Sequence, residues 1–353
     1  MNTLRYHLNS FYFQKMLFEQ HLKSYFDFSF SPSYFESRLP AWKYVPLNIL
    51  RLTKLFATDE HKKYDVLQLN RPEAFWMFKP AKKQISVFEA HGYDVGIWAE
   101  RYLVDIKSVW KKKVGAVLDA AISPRIKKNI NVADIWYCST PDLVDPLEEW
   151  AGRRPEWLPN PIDVDFFTPE GPVAKLQGSP ACFLAARLHG DKKPEVAIKI
   201  FQEVIKPRYK DAALHFISSG ELVERYKREL SDSKTYIWHP YMTKDELAAK
   251  LRGADLTFGD FSIGALSMLP LQVMALKKPI VTLDAYEIIK KPLESLAEFS
   301  LDLLEKPEIK QQWIERNFNH VHEKHAPRSI ALHHLANLRR VGYAKGIIIP
   351  DTL

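Results

Sequence analysis

Cysteine is scarce in this 353-residue chain: Cys138 and Cys182 are the two it has, one in each half. So few cysteines cannot frame a disulfide scaffold, and two free thiols in a reducing cytoplasm are expected. No stretch of about 18 uninterrupted apolar residues occurs, which argues against a membrane-spanning helix. The first twenty residues carry Arg5, Lys15 and Glu19 among aromatics, a composition unlike a secretion signal. A G-x-G-x-x-G fingerprint is missing where the first strand should turn into a helix; Asn9-Ser10 stands there instead, which argues against a dinucleotide site. No internal repeat and no low-complexity tract is visible. The histidines His320, His322, His325, His333 and His334 lack the H-E-x-x-H spacing of a zinc site and are expected on exposed helix surface. No Ser or Cys lies in a nucleophile-elbow context. One D-x-D, Asp163-Val164-Asp165, does occur, but inside a turn-rich stretch, so no metal site is expected.

What is present is ordinary for a soluble globular protein: 46% hydrophobic and 26% charged residues, in a chain long enough for two domains. The net charge of +7 suits a polyanionic partner, whether phosphates, anionic lipid or nucleic acid, although the cations are spread along the chain. Two stretches are basic and amphipathic, Pro46 to Ala57 and the surroundings of Lys111-Lys112-Lys113 and Lys127-Lys128 with Trp110. A solvated helix face and a membrane-surface contact both fit them.

Apolar periodicity predicts strands over Thr3–Leu8, Tyr25–Phe30, Asp65–Leu69, Gln84–Phe88 and Ile135–Cys138, with helices over Phe11–Lys23 and Asp105–Ile130, the latter broken at Ser123-Pro124. Prolines and turn residues then crowd the stretch from Gly152 to Pro172. Beyond it the rhythm restarts, with strands over Cys182–Ala186, Leu214–Ile217, Tyr236–Trp238, Leu256–Phe258 and Pro279–Leu283. Helices alternate with them over Pro194–Ile205, Leu222–Leu230, Lys244–Leu251 and Ala265–Leu276, and Pro292–Glu305, Pro307–Asn319 and Ile330–Val341 follow. The expected fold class is α/β: two doubly wound Rossmann-like domains facing a cleft. They are residues 1–157 and 176–329, joined by a linker over 158–175, with a last helix at about 330–342 packing back on the first.

In such sheets ligands bind beyond the strand carboxyl ends. His91, in Glu89-Ala90-His91-Gly92-Tyr93-Asp94, follows one strand, and Ser218-Ser219-Gly220 follows another. Arg187 closes the strand Cys182–Ala186, and Lys192 comes just before the next helix. After Leu256–Phe258 comes a loop holding Gly259, Asp260, Ser262 and Gly264, then a helix for which Ser267 is a candidate cap and Pro270 lies in the first turn. Two cations and the amides of Gly264, Ala265, Leu266 and Ser267 at a helix start describe a diphosphate site. Gln272 is a polar residue in an otherwise apolar run.

At this point the chain resembles a family. Its second half is similar to the nucleotide-sugar domain of GT-B glycosyltransferases, close to glycosyltransferase family 4. The G-R-L…K-x-P/G pattern is met by Ala186-Arg187-Leu188 and Lys192-Lys193-Pro194 through Phe201, and the hinge pattern by Leu158 to Asp163 with Phe167-Thr168-Pro169. Pro240-Tyr241-Met242-Thr243 through Leu247, Ala254-Asp255-Leu256, and Met274-Ala275 with Pro279-Ile280-Val281 resemble further family stretches, and His91-Gly92-Tyr93-Asp94 an H-G-x-D motif. The resemblance covers about residues 85–345.

It implies sugar transfer from a nucleoside diphosphate sugar with retention at the anomeric carbon, and in general no metal or other cofactor. His91 would serve the donor sugar; Arg187, Lys192 and the 264–267 amides the diphosphate; Gln272 the ribose. Asp94, Gly220, Asp260 and Met242 are further candidates. The family's E-x7-E pair falls on Gly264 and Gln272, so both carboxylates are replaced, and Lys277-Lys278 stand where a glycine is usual before Pro279. Asp260 is the nearest acid that could stand in for the first carboxylate. The expected partners are the donor and a glycan or lipid-linked acceptor, with an anionic membrane surface as a further candidate. Rival readings are a nucleotide-sugar epimerase, a non-catalytic sugar-nucleotide-binding protein, and a basic glucosyltransferase acting on DNA, which would need a continuous positive groove.

Overall fold

The structure, a computed structural model, describes residues 4–9, 20–31, 57–69, 81–90, 124–261, 266–283 and 293–350. The chain divides into two compact units, 1–161 with 327–353, and 162–326.

Among the described residues the first unit holds a six-stranded parallel sheet. Its strands are β1 (Leu4–Asn9), β2 (Phe26–Ser31), β3 (Val66–Leu69), β4 (Ile85–Ala90), β5 (Ile135–Cys138) and the two-residue β6 (Glu156–Trp157), in the order β2-β1-β3-β4-β5-β6. Strands β3, β4 and β5 are buried at every position, as expected of parallel strands covered on both faces. Alternate residues go to opposite layers. Leu67, Phe88 and Trp136 pack with α1 (residues 124–132) and α2 (Val144–Ala151). Val66, Val87 and Tyr137 pack with α9 (Pro327–Lys345), the last helix, which belongs to this unit.

Buried polarity clasps α9 in place. The Tyr137 hydroxyl meets His334 Nδ1 at 3.2 Å and accepts from Asn337 Nδ2 at 3.0 Å, and Asn337 Nδ2 also donates to Glu156 Oε2 at 3.0 Å. Burial raises the Tyr137 phenol above its ordinary pKa and lowers the His334 imidazole to about 3. The expectation of an exposed histidine face is corrected here. His334 is 0% exposed because helical periodicity puts 330, 334, 335 and 338 on the α9 face that meets the sheet. His325, before α9, is 2% exposed, with its carbonyl accepting from Ile162 N–H at 2.8 Å and its ring 5.4 Å from that of His320. Of the five histidines, His333 is the exposed one, paired with Glu156 at 2.7 Å.

Arg153, in the turn-rich stretch, donates to the carbonyls of Ile130, Ala133 and Asp134 and so closes the end of α1. Leu158 is buried in the first unit's core, and Ile162 and Phe167 in the second's.

The second unit holds a five-stranded parallel sheet: β7 (Ala181–Leu184), β8 (Ala213–Ile217), β9 (Tyr236–His239), β10 (Leu256–Phe258) and β11 (Ile280–Val281), ordered β11-β10-β7-β8-β9. Cys182 and Leu184 face α3 (Pro194–Ile200, continuing to Arg208), α4 (Val223–Glu229) and α7 (Leu293–Glu305). Phe183 and Ala185 face α5 (Lys244–Gly253) and α6 (Met268–Ala275). α8 (Pro307–His320) packs against α6 and α7. Thr243 and Glu246 form a capping box at the start of α5. On the α5 face, His215 and His239 stack on Phe183 with ring planes 7° apart, and their Nδ1 and Nε2 atoms lie 2.9 Å apart. Burial lowers both imidazoles, His239 to about 4. Both cysteines are free and buried, and burial pushes the Cys138 thiol up to about 12.

Candidate functional site

Counted within the second unit, the strands read 3-2-1-4-5 from β9 to β11, so the order reverses between β7 and β10. Chain leaving two neighbouring strands in opposite directions opens a crevice at their carboxyl ends, the usual ligand position in an open α/β sheet. After β7 come Arg187 and Lys192; after β10 come Asp260 and the start of α6.

Lys192 and Asp260 meet there. Lys192 Nζ lies 3.2 Å from Asp260 Oδ2, with the two side chains 12% and 1% exposed. The backbone repeats the connection, since Phe261 N–H donates to the Lys192 carbonyl at 3.2 Å. Asp260 is fixed in turn to the exit of β11: its carbonyl accepts from Thr282 Oγ1 at 2.8 Å and from Leu283 N–H at 3.0 Å. The other carboxylate oxygen, Oδ1, is buried without a hydrogen-bond partner among the described residues. Packing around this corner is tight enough to need glycine at 259, where a Cβ would press into the Thr282 side chain at 2.7 Å.

Arg187 is exposed, and its carbonyl accepts from His189 N–H at 2.9 Å. The loop that carries it is laced to the loop after β8. Leu188 N–H donates to Ser219 O at 2.8 Å, and Leu222 N–H to Leu188 O at 2.9 Å. Gly220, at φ +118°, sits between these bonds, and a Cβ there would collide with the Leu188 carbonyl. Its role is to let the two loops close together.

Ser267 occupies the position before α6 in extended conformation, but its hydroxyl makes no capping bond; its carbonyl accepts from Leu271 N–H at 3.3 Å. α6 starts at Met268, later than the expected Ala265, and Pro270 lies in its first turn. Leu266 is buried in the core, and Met242, after β9, packs against the same cluster. Gln272 is half-buried in the second turn of α6, and its Oε1 is enclosed without a partner among the described residues. Gly264 and Ala265 fall outside the described residues, as do His91 and Asp94, which come after β4 in the chain.

The D-x-D stretch serves a turn. Asp163 Oδ1 accepts from Phe166 N–H, and Oδ2 pairs with Lys244 at 2.6 Å; that ammonium also lies 3.8 Å from the Phe166 ring centre. Among the described residues no group of three His, Cys, Asp or Glu is placed to hold a metal ion, and no helix is long and apolar enough to cross a membrane. Sequence reasoning missed that Lys192 and Asp260 pair. A Lys and an Asp 68 positions apart give no local signal; only parallel pairing of β7 with β10 brings them together. Lys277, at the usual glycine position, adopts φ +52° just past α6. Lys278 N–H donates to Val273 O there, the bond that closes a left-handed helix end. Lys277 also reaches Glu315 at 2.8 Å and the Phe318 ring at 4.5 Å.

No protein-family model matches the chain, and no curated protein matches it. Solved structures do match in fold. Sucrose-phosphate synthase from Thermosynechococcus elongatus gives a TM-score of 0.67 at 12% identity, over 97% of this chain and 100% of that one. HepE from Anabaena, solved in complex with UDP-glucose, gives 0.60 at 10% identity, over 96% and 99%. A glycosyltransferase from Rickettsia africae gives 0.57 at 12% identity, over 96% and 90%. The likeness extends over both units, and the chain has the GT-B fold.

Proposed function

We propose that the chain is a glycosyltransferase, moving a sugar from a nucleoside diphosphate sugar to a glycan or lipid-linked acceptor with retention at the anomeric carbon. One observation carries this reading: strand order reverses between β7 and β10, and the chain leaving them brings an exposed arginine, a lysine and a helix start to one sheet edge. As the bond between the anomeric carbon and the diphosphate oxygen breaks, negative charge grows on the departing diphosphate. Arg187, Lys192 and the amides of 264–267 are the donors offered to it, so in this reading the chain itself provides the counter-charge.

Position 264 has no side chain to offer the sugar. Gln272, half-buried in α6, is the residue offered to the ribose hydroxyls, through its side-chain amide. His91 and Asp94 are the residues offered to the donor sugar by the H-G-x-D resemblance, and the first unit is the part offered for choosing the acceptor. Gly220 and Met242 shape the two neighbouring loops. The basic stretches of the first unit are the candidate contact with an anionic membrane surface. UDP-sugars are the first donors to test, since a protein of this fold was solved with UDP-glucose.

The test is release of nucleotide from UDP-, GDP- and ADP-sugars without acceptor. Slow release from one donor is expected, with kcat/KM lowered about 100-fold in Arg187→Ala and release lost in His91→Ala. Tight binding with no release points instead to a non-catalytic sugar-nucleotide-binding protein. A wild-type chain that binds none of the three donors refutes the reading.

A further inference from the structure

We infer that Asp260 is a positioning residue: it holds the Lys192 ammonium in place for the diphosphate of the donor. This rests on the donor-binding reading above and gives Asp260 a different task from meeting the sugar.

The geometry carries it. Asp260 is pinned through its own carbonyl to Thr282 and Leu283 at the exit of β11, so its carboxylate has a fixed origin. Lys192 is then tied to that corner twice, by its carbonyl to Phe261 N–H and by its ammonium to Asp260 Oδ2, both at 3.2 Å. A lysine on four rotatable bonds gives up rotamer freedom when it grips a phosphate; one already held by a fixed carboxylate has given it up beforehand. An ammonium has three donors, and Asp260 Oδ2 takes one, which leaves others for phosphate oxygens. The exposures set the polarity. The aspartate is 1% and the lysine 12% exposed, so the positive end of the pair is the end that opens to solvent. Because Oδ2 is engaged and Oδ1 is enclosed, neither oxygen is presented to a sugar.

The experiment is a double-mutant cycle on UDP, GDP and ADP binding by calorimetry, using wild type, Asp260→Asn, Lys192→Met and the double variant. Asp260→Asn is expected to weaken nucleotide binding about tenfold. In the Lys192→Met background the same substitution is expected to weaken it no further. A second readout needs no nucleotide: acylation of Lys192 by an amine-reactive ester, followed by mass spectrometry, should be slow in wild type and several-fold faster in Asp260→Asn. Affinity that is unchanged or tighter in Asp260→Asn overturns the positioning role alone, as does equal weakening in both backgrounds. Wild type that binds no nucleoside diphosphate overturns the donor-binding reading and this role with it. If Asp260→Asn does not fold, Asp260→Glu replaces it. That variant keeps the charge but moves the ammonium by about one methylene, so wild-type affinity in it refutes the role and a several-fold loss supports it.

Discussion

The two sheets are built alike, parallel and with central strands buried at every position, yet they place their buried polar groups differently. In the first unit the polar cluster of Tyr137, His334, Asn337 and Glu156 lies between the sheet and α9, where it fastens the last helix of the chain. In the second unit the most buried ion pair, Lys192 with Asp260, lies beyond the strand carboxyl ends, where the strand order reverses. A buried polar group costs stability unless it is satisfied. One unit meets that cost to fix a helix, and the other to fix a cation at a crevice. The comparison separates buried polarity set between layers from buried polarity set at a sheet edge, which the proposed function gives to a ligand.

The largest expected effect breaks the second unit's pair from the lysine side. Lys192→Met strands the Asp260 carboxylate in a 1% exposed site, and a loss of about 3 kcal/mol is expected. Adding Asp260→Asn should recover much of it. Thermal unfolding of the single and double variants checks this, and no recovery would mean that the pair is not what the second substitution relieves.

An intermediate effect compares the units through pH. His334 in the first unit and His239 in the second are held neutral by burial, at about 3 and about 4, against roughly 6.5 in the unfolded chain. A lowered folded pKa means stability that is fully present above about pH 6.5 and drains as pH falls toward the folded values. The slope approaches about 1.4 kcal/mol per pH unit for His334 and is smaller for the partly exposed His239, which solvent screens. Hydrogen exchange at pH 7.5 and 5 should show protection falling in α9 and in β8 and β9. Exchange that is insensitive to pH in both places would refute the assignment of neutral imidazoles.

The smallest effect concerns the end of α6. Lys277→Gly relieves a left-handed backbone by about 1 kcal/mol and loses an ion pair and a ring contact of similar total size. A net change within about 0.5 kcal/mol is therefore expected. Lys277→Ala keeps the backbone strain and loses the contacts, so it should be the less stable of the two by urea unfolding. The opposite order would show that the left-handed backbone at 277 costs a side chain nothing.

Much of the fold was legible because parallel strands buried on both faces leave short apolar runs between helical patterns. Ile135–Cys138 and Leu256–Phe258 were placed to the residue. Two-residue β6 was not, since Glu156-Trp157 amid prolines carries no alternation to read. The helix after Phe258 was expected from Ala265 and is described from Met268. The loops after β7, β8 and β10 could be named because strand ends and the chemistry of Arg, Lys and Gly are local. Which loops touch was not readable, because contact depends on the order of strands in the sheet.

By itself the sequence determined the alternation of strand and helix, the two-part organisation, and which residues follow each strand, for these depend on patterns a few residues long. Tertiary structure decided that β7 lies beside β10, that Lys192 is therefore held by Asp260, and that His334 faces inward from α9. Those outcomes rest on contacts between residues 68 and 197 positions apart, and bringing such distant groups together is settled by how the layers pack.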